Sequence, residues 1–239
     1  MRLTETVTST TIEAMPPDSV TLLRRRADLH AALADPARLQ VVDTLVLGDS
    51  SPSELAHLLG MPSNLVAHHL GVLEQAGLVS RHRSEGDGRR TYVRLVDGVL
   101  DGLPPGPTRQ ARRVLFVCTA NSARSHLAAA LWRRCSAVPS ASAGTHPADR
   151  IAPAAVAAAA RHRLPMRRLH PRALSEVLAD GDLVVTVCDR AHEELDVPAD
   201  VHWSIADPVR LGTPEAFDAA LGQLARRVQQ LAPLVVPTA

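Results

Sequence analysis

Residues 113–134 read RVLFVCTANSARSHLAAALWRR, and the succession inside this stretch decides the class of half the chain. Arg113 to Val117 is a short, nearly continuous apolar run without alternation, the pattern of a parallel strand buried on both faces. It passes at once into Cys118-Thr119-Ala120-Asn121-Ser122-Ala123-Arg124-Ser125, and the Ala- and Leu-rich stretch that follows predicts a helix. A loop between a strand and a helix N-terminus directs backbone N–H groups at one point. A guanidinium in that loop can grip two oxygens of a tetrahedral anion. The same field stabilises a thiolate, and cysteines in such places titrate at roughly 3.5–7.5 instead of about 8.5. The spacing therefore predicts an oxyanion cradle formed by Thr119, Ala120, Asn121, Ser122, Ala123, Arg124 and Ser125, with Cys118 as its nucleophile.

Upstream of this stretch lies DGLPPGPTRQARR, residues 101–113, whose three Pro and two Gly cannot continue a helix or a central strand. Before it the pattern is mostly helical; after it, short Val/Leu runs alternate with helices. Two domains of different class follow, with a mobile tail over 1–18, a first domain over 19–101, a linker over 102–112 and a second domain over 113–239. A length of 239 residues suits two small domains. Hydrophobic residues make up 46% of the chain and aromatic ones 2%, so the cores must rest mainly on Ala, Leu and Val. All 26 basic residues are Arg, and the net charge of +1 excludes a globally basic coat for nucleic acid, though not a local basic patch. No apolar run approaches the roughly 18–20 residues of a membrane span, and the N-terminal stretch lacks a secretory pattern. Three cysteines do not look like a disulfide framework. A cytoplasmic protein without membrane contact is expected.

In the first domain, apolar residues recur at helical spacing from Val20 to Leu47, interrupted at Asp35-Pro36. Ser51-Pro52-Ser53-Glu54 opens a helix ended by Gly60, and Ser63 is a candidate cap for a second helix running to about Ala76. Two extended arms around Glu85-Gly86-Asp87-Gly88 complete a winged helix-turn-helix. ALADPARLQVVDTL, SELAHLLGMPSNLVAHHLGVLEQAGLV and RHRSEGDGRRTYVRL together resemble the ArsR/SmtB winged-helix repressors over about residues 24–96. That resemblance implies a homodimer on a double-stranded operator, each recognition helix entering a major groove. Ser63, Asn64, Ala67 and His68 then fall where side chains reach base edges. Arg81, Arg83, Arg89 and Arg90 of the wing suit phosphates. The first domain has no Cys, which rules out a thiolate arsenite site within it, and its scattered His residues form no metal-ligand set.

Three later segments accompany the cradle in order: Ser142-Ala143-Gly144-Thr145, Asp182 to Cys188, and Trp203-Ser204-Ile205-Ala206-Asp207-Pro208 before a helix from Pro214 to Leu231. With the cradle they resemble the low-molecular-weight protein tyrosine phosphatase superfamily, which includes thiol-dependent arsenate reductases, over about residues 112–232. The implied fold is a doubly wound α/β domain with a mostly parallel four-stranded sheet and its site at the carboxyl ends of the strands. The implied roles are attack by Cys118, anion binding by Arg124, shaping of the loop by Asn121 and Ser125, and proton donation by Asp207.

Tyrosine phosphatases of this group usually place aromatics after Asp-Pro and near the Ser-Ala-Gly-Thr segment; here those places read VRLGT and HPADR. A small inorganic anion, arsenate or phosphate, fits better. Cys188 stands where related reductases carry a resolving Cys, and it can attack a Cys118–arsenic adduct. Leu195 stands where a third redox Cys is found in some members, so no cofactor is expected and an external thiol or redoxin is needed for turnover. Cys135 reads as a buried structural thiol. The stretch 161–172, with five Arg and two His, reads as a solvated helix end or as a contact to DNA or the other domain. The expectation is a repressor fused to an arsenate reductase. The alternatives are a regulator that senses an anion with little turnover, and a phosphatase.

Overall fold

The computed structural model describes residues 17–100, 108–166 and 170–238. Most of the expected tail, residue 101 and residues 102–107 of the expected linker lie outside them. The first domain runs α1 (Pro17–Leu33), α2 (Pro36–Leu47), α3 (Pro52–Leu59), α4 (Ser63–Gln75), β1 (Val79–Arg83) and β2 (Thr91–Leu95), the two strands pairing antiparallel. Its helix starts follow from local chemistry. The Asp35 side chain accepts from the Arg38 N–H at 2.9 Å, with Pro36 in the first turn of α2. Ser51 and Glu54 satisfy each other's backbone N–H groups at 3.2 and 2.7 Å, a reciprocal capping box for α3.

The start of α4 departs from expectation. Ser63 is already helical and caps nothing; Pro62 is the flanking residue, with φ −58°, and its carbonyl accepts from Leu65 and Val66 at 3.0 and 3.1 Å. Proline's fixed φ leads the chain into the helix without a side-chain cap. Val41, Leu45, Leu55, Val66, Leu70, Leu73 and Val93 form the buried core between the helices and the wing.

The second domain runs β3 (Arg109–Ala111), β4 (Arg113–Cys118), α5 (Arg124–Cys135), β5 (Ser140–Gly144), α6 (Pro153–Arg161), α7 (Leu174–Val177), β6 (Asp182–Thr186), α8 (Asp189–Glu194), β7 (Val201–His202), α9 (Pro208–Leu211) and α10 (Pro214–Leu231). A 3₁₀ turn then leads into β8 (Val235–Pro237). The main sheet has the order β5-β4-β6-β7, and every pair in it is parallel. β3 pairs parallel with β8, so residues 109–111 belong to this domain and not to a linker. That pairing joins segments more than a hundred residues apart, which a local reading of 101–113 could not contain. The few aromatics are central: Phe116 lies 5.9 Å from Trp132 and 5.7 Å from Trp203 between ring centroids, and all three are fully buried.

The two domains are packed together through polar contacts. Buried Asp49 pairs with Arg227 and accepts from the Ser204 N–H at 2.8 Å. Trp203 Nε1 donates to the Leu47 carbonyl at 3.0 Å, and Arg94 donates to that of Ser204 at 3.1 Å. Gly48 sits so close to the His202 backbone that any Cβ there would collide with it.

Candidate functional site

The cradle joins the end of β4 to the start of α5. Its carbonyls point outward: those of Cys118, Thr119, Ala120 and Ser122 accept from Thr145, His146, Ala148 and Ala152 at 2.8–3.2 Å. Because C=O and N–H oppose each other across a planar trans peptide, this turns the loop's amide groups toward the inner side. Asn121 is fully buried at φ 45°, a left-handed conformation that Asn tolerates better than most residues. Its side chain donates to Ser125 Oγ at 2.8 Å and accepts from the Arg172 N–H at 2.9 Å, locking the loop. Ser125 Oγ in turn lies 3.1 Å from Cys118 Sγ.

Arg124 is held at both ends of its fork. One nitrogen donates to the Ile205 carbonyl at 2.8 Å, and the other pairs with Asp207 Oδ2 at 3.2 Å. Burial works against its charge, but Cys188, Cys118, Asp207 and Glu85 together outweigh it and keep the guanidinium ionised. Asp207 also caps α9, accepting from the Val209 N–H at 3.1 Å. The chain thus brings together Cys118, Arg124 and Ser125 of one loop and Asp207 of a segment some eighty residues further on.

Cys188 flanks α8 and lies in the same cleft, its Sγ 3.4 Å from Thr119 Oγ1. Burial pushes its thiol up, opposed by Arg124 and reinforced by Cys118. Cys135 corrects an expectation: it is exposed, not buried. It is the last residue of α5, on the turn that leaves the core. His126, in the first turn of α5, is buried and drawn down to about 4 by that burial, with Nε2 unpartnered.

The cleft has a volume of about 600 Å³. Cys118, Arg124, Cys188 and Asp207 line it, and so do Glu85, Gly86 and Asp87 from the wing of the first domain. Sequence reasoning missed these wing residues, since nothing in a hairpin turn indicates what it will rest against. Among the described residues no aromatic side chain lines the cleft.

The residues expected to face DNA are separate from this site and open to solvent. Ser63, Asn64, Ala67 and His68 are exposed on the first turns of α4, and Arg81, Arg83, Arg89 and Arg90 are exposed on the wing. Arg81 pairs with Glu74 at 2.7 Å and Arg89 with Asp87 at 3.1 Å. Within 161–172, Arg161 and His162 both pair with Asp218 of α10, a contact inside the second domain; residues 167–169 lie outside the described ones. No helix among the described residues is long and apolar enough to cross a membrane.

A parallel sheet with a cysteine–arginine loop at its carboxyl edge, fused to a winged helix, defines a two-domain protein, one domain α/β and the other a helix-turn-helix. Residues 113–236 match the low molecular weight phosphotyrosine protein phosphatase family, and residues 33–82 match a helix-turn-helix domain family. The chain belongs to the low molecular weight phosphotyrosine protein phosphatase family and carries an ArsR/SmtB-type helix-turn-helix domain at its N-terminus.

Its first domain is 35% identical over 73 residues to the transcriptional repressor SdpR of Bacillus subtilis, covering 30% of this chain and 78% of that protein. It is 37% identical over 87 residues to the repressor SmtB of Mycobacterium tuberculosis, covering 36% of this chain and 61% of that one. An arsenate reductase structure from Archaeoglobus fulgidus is 31% identical, covering 50% of this chain and 98% of its own, with a TM-score of 0.45.

Proposed function

We propose that this protein is a dimeric, operator-binding repressor whose second domain is a thiol-dependent arsenate reductase. The observation that carries the enzymatic half is the grouping of Cys118, Arg124, Asp207 and Cys188 in one cleft without aromatic walls. Arg124 and the loop amides hold the oxyanion. The Cys118 thiolate attacks arsenic(V) while Asp207 protonates the departing oxygen, leaving a sulfur–arsenic bond. A second thiol, Cys188 or an external one, then attacks Cys118 sulfur. The sulfur–arsenic electron pair stays on arsenic, releasing arsenite, and a disulfide forms. An external thiol or redoxin returns the disulfide to the thiol state.

In the repressor half, Ser63, Asn64, Ala67 and His68 read base edges, while Arg81, Arg83, Arg89 and Arg90 contact phosphates. A second reading, phosphomonoester hydrolysis, is favoured by the Arg124–Asp207 pair at 3.2 Å, because only Cys118, Arg124 and Asp207 are needed for it. The test is turnover of arsenate and of p-nitrophenyl phosphate with several thiol reductants. Arsenite production that needs a thiol supports the reductase. Release of p-nitrophenol without arsenite supports the phosphatase. No turnover with either substrate leaves an anion-sensing regulator.

A further inference from the structure

The wing tip rests on the thiol site through a set of oriented bonds. The Glu85 N–H donates to Asp189 Oδ2 at 2.6 Å and the Asp87 N–H to Glu193 Oε2 at 2.8 Å. Ser84 Oγ donates to Glu193 Oε1 at 2.6 Å, and Tyr92 donates to the same oxygen at 3.3 Å. Gly86 lies so near α8 that a Cβ would stand 2.5 Å from Glu193 Oε2 and 2.9 Å from the Arg190 backbone nitrogen. These contacts hold the amides of the otherwise exposed tip, and the Glu85 side chain lines the cleft. There Glu85 Oε2 accepts from the Asp207 N–H at 2.9 Å, while Asp207 holds Arg124 at 3.2 Å. Glu85 thus stands beside the guanidinium that would bind the anion, and its negative charge acts on that guanidinium.

We propose that Glu85, carried on the wing of the DNA-binding domain, is a charge-selecting and positioning residue of the Cys118 anion site, and that an anion in the cradle loosens the wing tip. The inference rests on the reading of that cleft as an anion site. A doubly charged tetrahedral anion on Arg124 brings like charge up to Glu85 and competes with Asp207 for the guanidinium. Repulsion at short range then works against the bonds that dock the tip. The Asp207 amide, held by Glu85, loses its acceptor as the tip lifts. Because Arg89 and Arg90 flank the same tip, occupancy of the cleft and the freedom of the proposed DNA-contacting hairpin become linked, and linkage is reciprocal.

The test uses the full chain, with inorganic phosphate as the probe, in wild type, Glu85→Gln and Glu85→Ala. Glutamine keeps an acceptor for the Asp207 N–H but loses the charge; alanine loses both. Phosphate should bind roughly three- to tenfold more tightly to both variants than to wild type, the size expected of one partly screened charge. Saturating phosphate should speed hydrogen exchange at the Glu85 and Asp87 amides of wild type, and less so in Glu85→Gln. Exchange at the Asp207 amide without phosphate should rise in Glu85→Ala and be restored in Glu85→Gln, which separates positioning from charge. Equal phosphate affinity in all three proteins, with exchange at 85–87 indifferent to phosphate, overturns the proposal while leaving the anion site standing. Absence of phosphate binding in all three overturns the anion-site reading and this proposal together.

Discussion

The recognition helix and the thiol loop show opposite ways of holding functional groups. On α4 the residues proposed to meet DNA stand exposed, and their only requirement is a helix on which they share one end. In the thiol loop nearly every group is buried and spoken for. Ser125 and Asn121 fix Cys118, Ile205 and Asp207 fix Arg124, and residues 145–152 hold the loop's carbonyls. The difference is one of partner: a helix surface is completed by its ligand, whereas an anion cradle must be built before the anion arrives, since reorganising dipoles during a reaction costs rate. Loss of one residue should therefore be severe and local in the cradle, and graded on the DNA face.

The largest effect expected is at Cys118, the proposed nucleophile. Cys118→Ser should abolish both arsenate reduction and phosphomonoester hydrolysis, because a hydroxyl here is not ionised and cannot replace the thiolate. DNA affinity of the same variant, measured by fluorescence anisotropy, should stay near wild type. Retained turnover would break the comparison at its centre.

Next is the core beneath the exposed helix face. Leu70 is fully buried on α4, and Leu70→Ala should lower unfolding free energy by about 2–5 kcal/mol. Chemical denaturation would read this directly. A loss within experimental error would mean that α4 is not seated as described.

A smaller, graded effect belongs to the wing. Replacing Arg89 and Arg90 by Ala removes two proposed phosphate contacts from each subunit, four per dimer, so the slope of log affinity against log salt should flatten by about 3.6 for duplex DNA of any sequence. An unchanged slope would remove the wing from the DNA interface, leaving it only its place at the cleft.

Acid should act on the junction between the two regions. His82 is held down to about 4, first by burial and then by Arg94; burial also lowers His202, although its bond to Asp189 opposes the shift. Unfolded, such groups take a proton near 6.5, so below that pH the unfolded state binds more protons than the folded one. Stability is thus fully present above about 6.5 and lost as pH falls toward 4. Glu54 and Asp189 behave as lowered carboxylates. Burial raises both, but His192 bonded to Glu54, and His202 with the Glu85 amide bonded to Asp189, bring each to about 2. Their contribution is held until pH falls below the usual carboxylate range. Melting temperature should decline between about pH 6.5 and 4 and steepen below it. A Tm flat over the first interval would mean that these histidines are not buried as neutral groups.

The smallest effect is on labelling. Exposed Cys135 should react readily with iodoacetamide, so a fast rate alone does not single out Cys118. Protection by phosphate does, and it should appear at Cys118 alone.

Much of this arrangement is legible in residues that act on their neighbours. Asp35-Pro36 and Ser51 with Glu54 mark helix starts because a cap acts within one turn. The span Pro214–Leu231 is the helix expected, and the run from Arg113 reads as the strand it forms. Ser63 misleads because Pro62 just before it sets the helix entry. Cys135 misleads because helical position alone does not say which turn leaves the core.

By itself, the sequence determined the two domain classes, the order of the segments and the placing of Cys118 and Arg124 on a loop between a strand and a helix. These follow from periodicity, capping and spacing, all of which act over a few residues. Only the tertiary structure decided that residues 109–111 pair with the C-terminal strand, that the wing tip lines the Cys118 cleft, and that Glu85 reaches the Asp207 amide across 122 positions. Such contacts depend on how two finished surfaces meet. Their charges and clearances, such as the missing Cβ at Gly86, exist only once both domains have folded.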